Sequence, residues 1–141
     1  MSITTAAKEI IEEITSIDAS DRLELLLEYA NSLPPLPARY IEHPDLLERV
    51  EECQSPVFLF VEIQDGKVQI FLTAPPEAPT TRAFASILWR SLNSESIQTV
   101  LDFDNDFPNK LGLTQLVSPL RMRGINGMLA RIKRQVTEKI A

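Results

Sequence analysis

This sequence predicts an α+β domain, a small antiparallel β-sheet covered by helices, and three observations carry that reading. Two apolar-rich runs, residues 57–63 and 67–73, flank Asp65-Gly66, the pattern of a β-hairpin closed by a tight turn. Apolar residues at helical spacing recur before and after that hairpin. The resulting order, two helices, two strands, then three helices, keeps the strands together instead of alternating them with helices. At 141 residues and 15.9 kDa the chain is long enough for one domain, residues 1–141, with its own apolar core. No internal repeat or long flexible linker divides it.

Taken in order, residues 4–15 put Ile10, Ile11 and Ile14 on one side and Lys8, Glu9, Glu12 and Glu13 largely on the other. A second helix is expected to be capped by Ser20, with Leu23, Leu26, Leu27 and Ala30 toward the core and Asp21 and Glu24 near its positive end. It must stop before Leu33-Pro34-Pro35-Leu36-Pro37, because proline lacks the N–H that a helix needs and restricts its predecessor. Pro44 opens a short helix through Leu46, Leu47 and Val50. In the second strand Val68, Ile70 and Leu72 alternate with Lys67, Gln69 and Phe71, so one face is buried. The proline-rich run 74–79 is a loop, and Thr80 or Thr81 opens a helix to about Leu92 with Phe84, Ile87, Leu88 and Trp89 inward. Ser94 caps a further short helix ending near Leu101, and 102–110 reads as acidic and irregular. Gly112 reads as a left-handed helix cap. Ser118-Pro119 breaks the chain, and residues 124–140 form a terminal helix with Ile125, Met128, Leu129, Ile132 and Val136 on its apolar side.

Composition narrows the function. A net charge of −6 and a pI near 4.8 argue against non-specific nucleic-acid binding. No apolar run approaches a membrane span, and the N-terminal stretch carries acids where a signal peptide carries bases. A single cysteine excludes an internal disulfide, and one histidine leaves no Cys/His zinc site to assemble. The expectation is a cytoplasmic, metal-free protein with no nucleic-acid or membrane partner. Charge is nevertheless uneven. Up to Ser55, four bases face twelve acids, a balance of −8; from Arg121 onward, six bases face only Glu138, a balance of +5. Such runs read either as solvated faces that attract within the fold or as a docking surface.

Few residues offer chemistry. His43 has no second histidine and no nucleophile motif beside it, and reads as a surface loop residue. Asp102, Asp104 and Asp106 alternate like a calcium loop but lack its glycine and terminal glutamate. Four glycines in the whole chain leave no phosphate cradle, and no paired-carboxylate signature is present. That leaves Cys53, on the polar segment Glu51-Glu52-Cys53-Gln54-Ser55-Pro56 at the entrance to the first strand, where a side chain is aimed yet within reach. The thiolate is the nucleophile, and an unperturbed thiol near pKa ~8.5 is only a few per cent ionised at neutral pH. Glu51 and Glu52 should raise that value further. A reactive Cys53 therefore needs positive charge from elsewhere, and the candidate in the chain is Arg121, on the loop after Ser118-Pro119.

Three pieces in register resemble the SufE family of sulfur acceptors: Leu33-Pro34-Pro35-Leu36-Pro37; Glu52-Cys53-Gln54-Ser55 leading into an apolar strand; and Leu111-Gly112-Leu113-Thr114-Gln115 followed by Ser118-Pro119-Leu120-Arg121 and Gly124. The resemblance runs from the second helix to the end. It implies the compact α+β fold of that family and its activity, accepting sulfur from a SufS-type cysteine desulfurase and passing it to iron–sulfur scaffold proteins. It further implies Cys53 as the persulfide acceptor and Arg121 as stabiliser of the negative sulfur. Gln54 and Ser55, with Glu52, then support the loop, which rests inward and swings out when the desulfurase docks. Pyridoxal phosphate would belong to the desulfurase, so no cofactor is expected here, and a monomer or weak dimer would suffice. Two departures stand out. Glu52 replaces the glycine common before the family's cysteine, which stiffens the loop and adds charge. Ala74-Pro75-Pro76-Glu77 replaces an Asp-rich turn, leaving Glu77 as the only acid there. The other reading is an interaction module of the same fold that docks a partner without transferring sulfur. A thiol redox protein is disfavoured, since the chain has no resolving cysteine.

Overall fold

The computed structural model describes residues 2–141, and it has the α+β architecture read from the sequence. Helix α1 (Thr5–Thr15) begins at Thr4, whose Oγ1 accepts the Ala7 N–H at 3.0 Å and donates to the Ser91 carbonyl at 2.8 Å. One hydroxyl thus caps a helix and ties it to the middle of the chain. Ala7, Ile10 and Ile14 are buried. Helix α2 (Ala19–Asn31) starts after Asp18, before the expected Ser20 cap, and buries Leu26, Tyr29 and Ala30. Leu23 and Leu27 were expected inside but are 46% and 49% exposed. The apolar stripe of α2 is wider than the face it has to bury.

After the proline run come α3 (Ala38–Ile41) and a 3₁₀ turn, Pro44–Leu46. The helix expected through Val50 does not form. Leu47 is already extended, and Glu48–Arg49 becomes β1, paired antiparallel with β2 (Phe58–Gln64) through Glu48 opposite Leu59 and Arg49 opposite Phe58. β2 pairs with β3 (Lys67–Thr73) in the register of a two-residue hairpin. Asp65 at φ 52° and Gly66 at φ 76° are both left-handed, the backbone that makes hairpin turns follow sheet twist. The order is β1-β2-β3. Val57, Leu59, Val61, Val68, Ile70 and Leu72 are buried, and helices pack on the sheet. Tyr40 covers the other face against Phe60 and Phe71, its hydroxyl donating to Glu62.

Helix α4 (Pro79–Leu92) starts with proline at its first position, just ahead of the expected threonines, and buries Phe84, Ile87 and Leu88. Helix α5 (Ile97–Leu101) is capped by Ser96, not Ser94: the Ser96 hydroxyl accepts the Thr99 N–H at 3.1 Å. Ser94 instead sits at φ 66° and gives its N–H to the Val68 carbonyl at 2.7 Å, closing the outer edge of β3. The acidic segment contains a 3₁₀ turn, Phe107–Leu111, that ends at Gly112 with φ 76°, the expected left-handed cap. Helix α6 (Pro119–Ile140) begins at Pro119, not Gly124. Ser118-Pro119 is the helix start and not a break: the Ser118 hydroxyl accepts the Arg121 N–H at 3.3 Å, and Pro119 takes the first position, where a missing N–H costs nothing. All five predicted inward residues of α6 are buried. Among the described residues no helix is long and apolar enough to cross a membrane.

Candidate functional site: the thiol pocket of Cys53

Strand β1 is two residues long, so β2 runs past it and leaves the Val61 N–H without a strand partner. Buried Gln135 of α6 fills that place, its Oε1 accepting the Val61 N–H at 2.8 Å while its Nε2 donates to Glu48 at 2.9 Å. The same helix lies under the connection between β1 and β2. That connection is closed at its base by Val50 N–H to Val57 O at 2.9 Å, and the Cys53 N–H turns back to Val50 O at 3.1 Å.

Glu51, Glu52 and Gln54 are exposed, as their polarity requires, while Cys53 points the other way and is 6% exposed within the apolar core. The loop's polarity alone put the thiol within reach; it is instead turned under the loop, the inward position that the resemblance implied. Gly124 makes the room: a Cβ there would stand 3.0 Å from the Cys53 sulfur. Burial pushes the thiol up to about 11, the Glu52 charge adds to the rise, and Arg131 opposes it. In this position the sulfur is a protected, neutral thiol.

A cavity of about 210 Å³ opens onto the sulfur. Glu52, Cys53, Gln54 and Ser55 line it from the loop, Glu77 from the β3–α4 connection, Thr80 and Thr81 from the first turn of α4, and Leu120, Arg121 and Gly124 from the first turns of α6. Cys53, Arg121, Gln54, Ser55, Glu52 and Glu77, the residues expected at the thiol site, therefore all border one cavity. The first turns of two helices border it, so the positive ends of two helix dipoles lie along its wall. At α4 the cap residue is Ala78, which offers no side-chain acceptor to the first N–H groups of that helix.

Arg121, expected on a loop, is exposed in the first turn of α6. The cation that acts on the thiol at rest is a different one, Arg131. Its Nη1 binds both carboxylate oxygens of Glu52, with Oε2 at 2.7 Å, and its Nε is 3.2 Å from Glu48. Arg134 also pairs with Glu48. The Arg131 hydrogen bond holds the Glu52 carboxyl below its usual range. For Glu48, burial acts to raise the carboxyl, but hydrogen bonds from Arg134 and Gln135 and nearby positive charge outweigh it and hold the group low. Part of the opposite-sign charge noted in the sequence is thus neutralised within the fold. Gln54 and Ser55 border the cavity, but among the described residues neither side chain hydrogen-bonds to hold the loop; Glu52 does. Gly127 also escaped the sequence reading: a Cβ there would lie 2.7 Å from Glu52 Cδ. The surplus of bases after Arg121 hinted at Arg131, but nothing in residue spacing links position 52 to 127 or 131. His43 is exposed, as expected.

A family model for SufE, described as an Fe-S metabolism associated domain, matches residues 8–136. A SufE-like protein of Mycobacterium tuberculosis is 45% identical over 138 residues, covering 97% of this chain and 95% of that one. The chloroplastic/mitochondrial SufE-like protein 1 of Arabidopsis thaliana is 25% identical over 129 residues, 91% of this chain but 34% of its own length. A solution structure of a hypothetical protein from Thermus thermophilus superposes with a TM-score of 0.86 at 36% identity, covering 99% of this chain and 98% of the other. This chain belongs to the SufE family, and its role lies in iron–sulfur metabolism.

Proposed function

We propose that this protein accepts sulfur on Cys53 from a SufS-type cysteine desulfurase, activates that enzyme, and relays the sulfur to iron–sulfur scaffold proteins. The observation that carries the reading is the shared cavity: three segments distant in sequence bring Cys53, Glu77 and Arg121 to one space in front of the sulfur. In the step itself, the Cys53 thiolate attacks the outer sulfur of the desulfurase persulfide. A new S–S bond forms on Cys53, the donor S–S bond breaks, and the desulfurase cysteine leaves as a thiolate. Pyridoxal phosphate stays with the desulfurase, and this chain needs no cofactor of its own.

The thiol at about 11 is a poor nucleophile where it rests, so transfer requires the loop to turn outward. Exposure removes the burial that suppresses ionisation and carries the sulfur toward the donor. After transfer the persulfide returns to the cavity, where Arg121 and the positive ends of the two helices stabilise its charge and the turned-in loop shields it from oxidants. Gln54 and Ser55 hydrogen-bond the loaded sulfur, and Glu77 borders the same mouth. The protein works in the cytoplasm as a monomer or weak dimer.

Alanine release by a matching desulfurase tests this reading. Addition of the protein should speed release, and Cys53→Ser should abolish the stimulation. Equal stimulation by both would establish a docking module that carries no sulfur.

A further inference from the structure

The segment between Val50 and Val57 is fixed by backbone bonds at its base, and among the described residues two side chains tie its tip to α6. Cys53 packs against Gly124, and Glu52 is the one side chain of residues 51–56 that hydrogen-bonds among the described residues. Both tethers land on α6, one turn apart, and each fits because α6 carries glycine there: a Cβ at Gly127 would lie 2.7 Å from Glu52 Cδ and 3.0 Å from its Cβ. The receiving side is rigid. Arg131 is 17% exposed at its side chain and lies against Glu48 as well, and Glu48 is held by Gln135, which is bonded to the centre of the sheet. One partner of the pair thus belongs to the frame and the other to the loop.

We propose that the Glu52–Arg131 pair, seated over Gly127, is the latch that holds the Cys53 loop closed, and that releasing this one ion pair lets the thiol turn out. Both are positioning residues, acting on the sulfur through the loop backbone. The latch is a property of the free protein. That a sulfur donor awaits the released thiol rests on the function proposed above.

Two physical effects of Arg131 on the thiol have opposite signs, which makes the proposal testable. Its charge favours the thiolate, so its loss by electrostatics alone slows attack by Cys53. Its bond to Glu52 keeps the sulfur hidden, so its loss by unlatching speeds attack. Cys53 is labelled in the folded protein with an aromatic disulfide reagent, with no desulfurase present. Arg131→Gln and Glu52→Gln should each label about fivefold faster than wild type, the scale of a favourable, partly exposed ion pair. Raising the salt should speed wild-type labelling and leave both variants unchanged. Arg134→Gln, which loses bonds to Glu48 and Glu138 and none to Glu52, should label as wild type does. Labelling of Arg131→Gln at or below the wild-type rate overturns the latch, as does salt-independent wild-type labelling or equal acceleration in Arg134→Gln. Faster labelling of the two latch variants alongside no sulfur loading of wild type would keep the latch and sink the sulfur reading.

Discussion

Strand β2 enters and leaves by two connections of opposite kind. After it, Asp65 and Gly66 close a hairpin whose shape is fixed by their own left-handed backbone and by the full register with β3. Before it, residues 51–56 are held at the tip by side chains reaching a helix that lies more than seventy residues further along the chain. The first connection is local and does not depend on charge. The second rests on one ion pair seated over Gly127 and on the sulfur packed against Gly124. A turn fixed by its own backbone has one state, whereas a loop held by remote side chains has a closed state and a way to leave it.

The contrast can be broken or sharpened by substitution. The largest effect should come from Gln135→Ala, which leaves the buried Val61 N–H without an acceptor and removes one of the hydrogen bonds to Glu48; urea unfolding should show a loss of about 2 kcal/mol. Gly66→Ala forces a Cβ into a left-handed position and should cost about 1 kcal/mol in the same measurement, with the rate of Cys53 labelling unchanged. A parallel rise in labelling would mean that the two ends of β2 move as one.

Next in size is a pH effect specific to the thiol. Its folded value of about 11 lies above the ~8.5 of an exposed cysteine, so between those limits the unfolded chain gives up the proton first. With fewer protons bound when unfolded, wild type should lose stability relative to Cys53→Ser as pH rises from ~8.5 toward ~11, by about 0.8 kcal/mol at pH ~9. Below ~8 the difference should be flat. Smallest is Gly127→Ala, whose new methyl group must displace Glu52; labelling should quicken about twofold, with the unfolding midpoint nearly unchanged.

What the sequence disclosed follows the same division. Asp65-Gly66, Gly112 and the apolar side of α6 were readable because each is a short-range pattern with a backbone consequence. Ser118-Pro119 carried an equally local signal, a cap followed by proline, that reads as a stop until its place at a helix start is recognised. Glu48–Arg49 has no strand-like composition and becomes β1 only because β2 is there to pair with it. Leu23 and Leu27 have core spacing but lie on a face that the fold only half covers. At the site, Cys53 stood out as the only cysteine and Arg121 as the candidate cation after Ser118-Pro119, a role the family resemblance also implied, while Glu77 came from the resemblance alone. Arg131 and Gly127 are known to the thiol only through three-dimensional proximity, which no spacing rule encodes.

The most direct test of the central claim is the intact mass of the protein after incubation with a SufS-type desulfurase and cysteine. One sulfur should be gained on Cys53, lost on reduction and absent in Cys53→Ser. A protein that stays unmodified beside a desulfurase already loaded with persulfide would contradict the account.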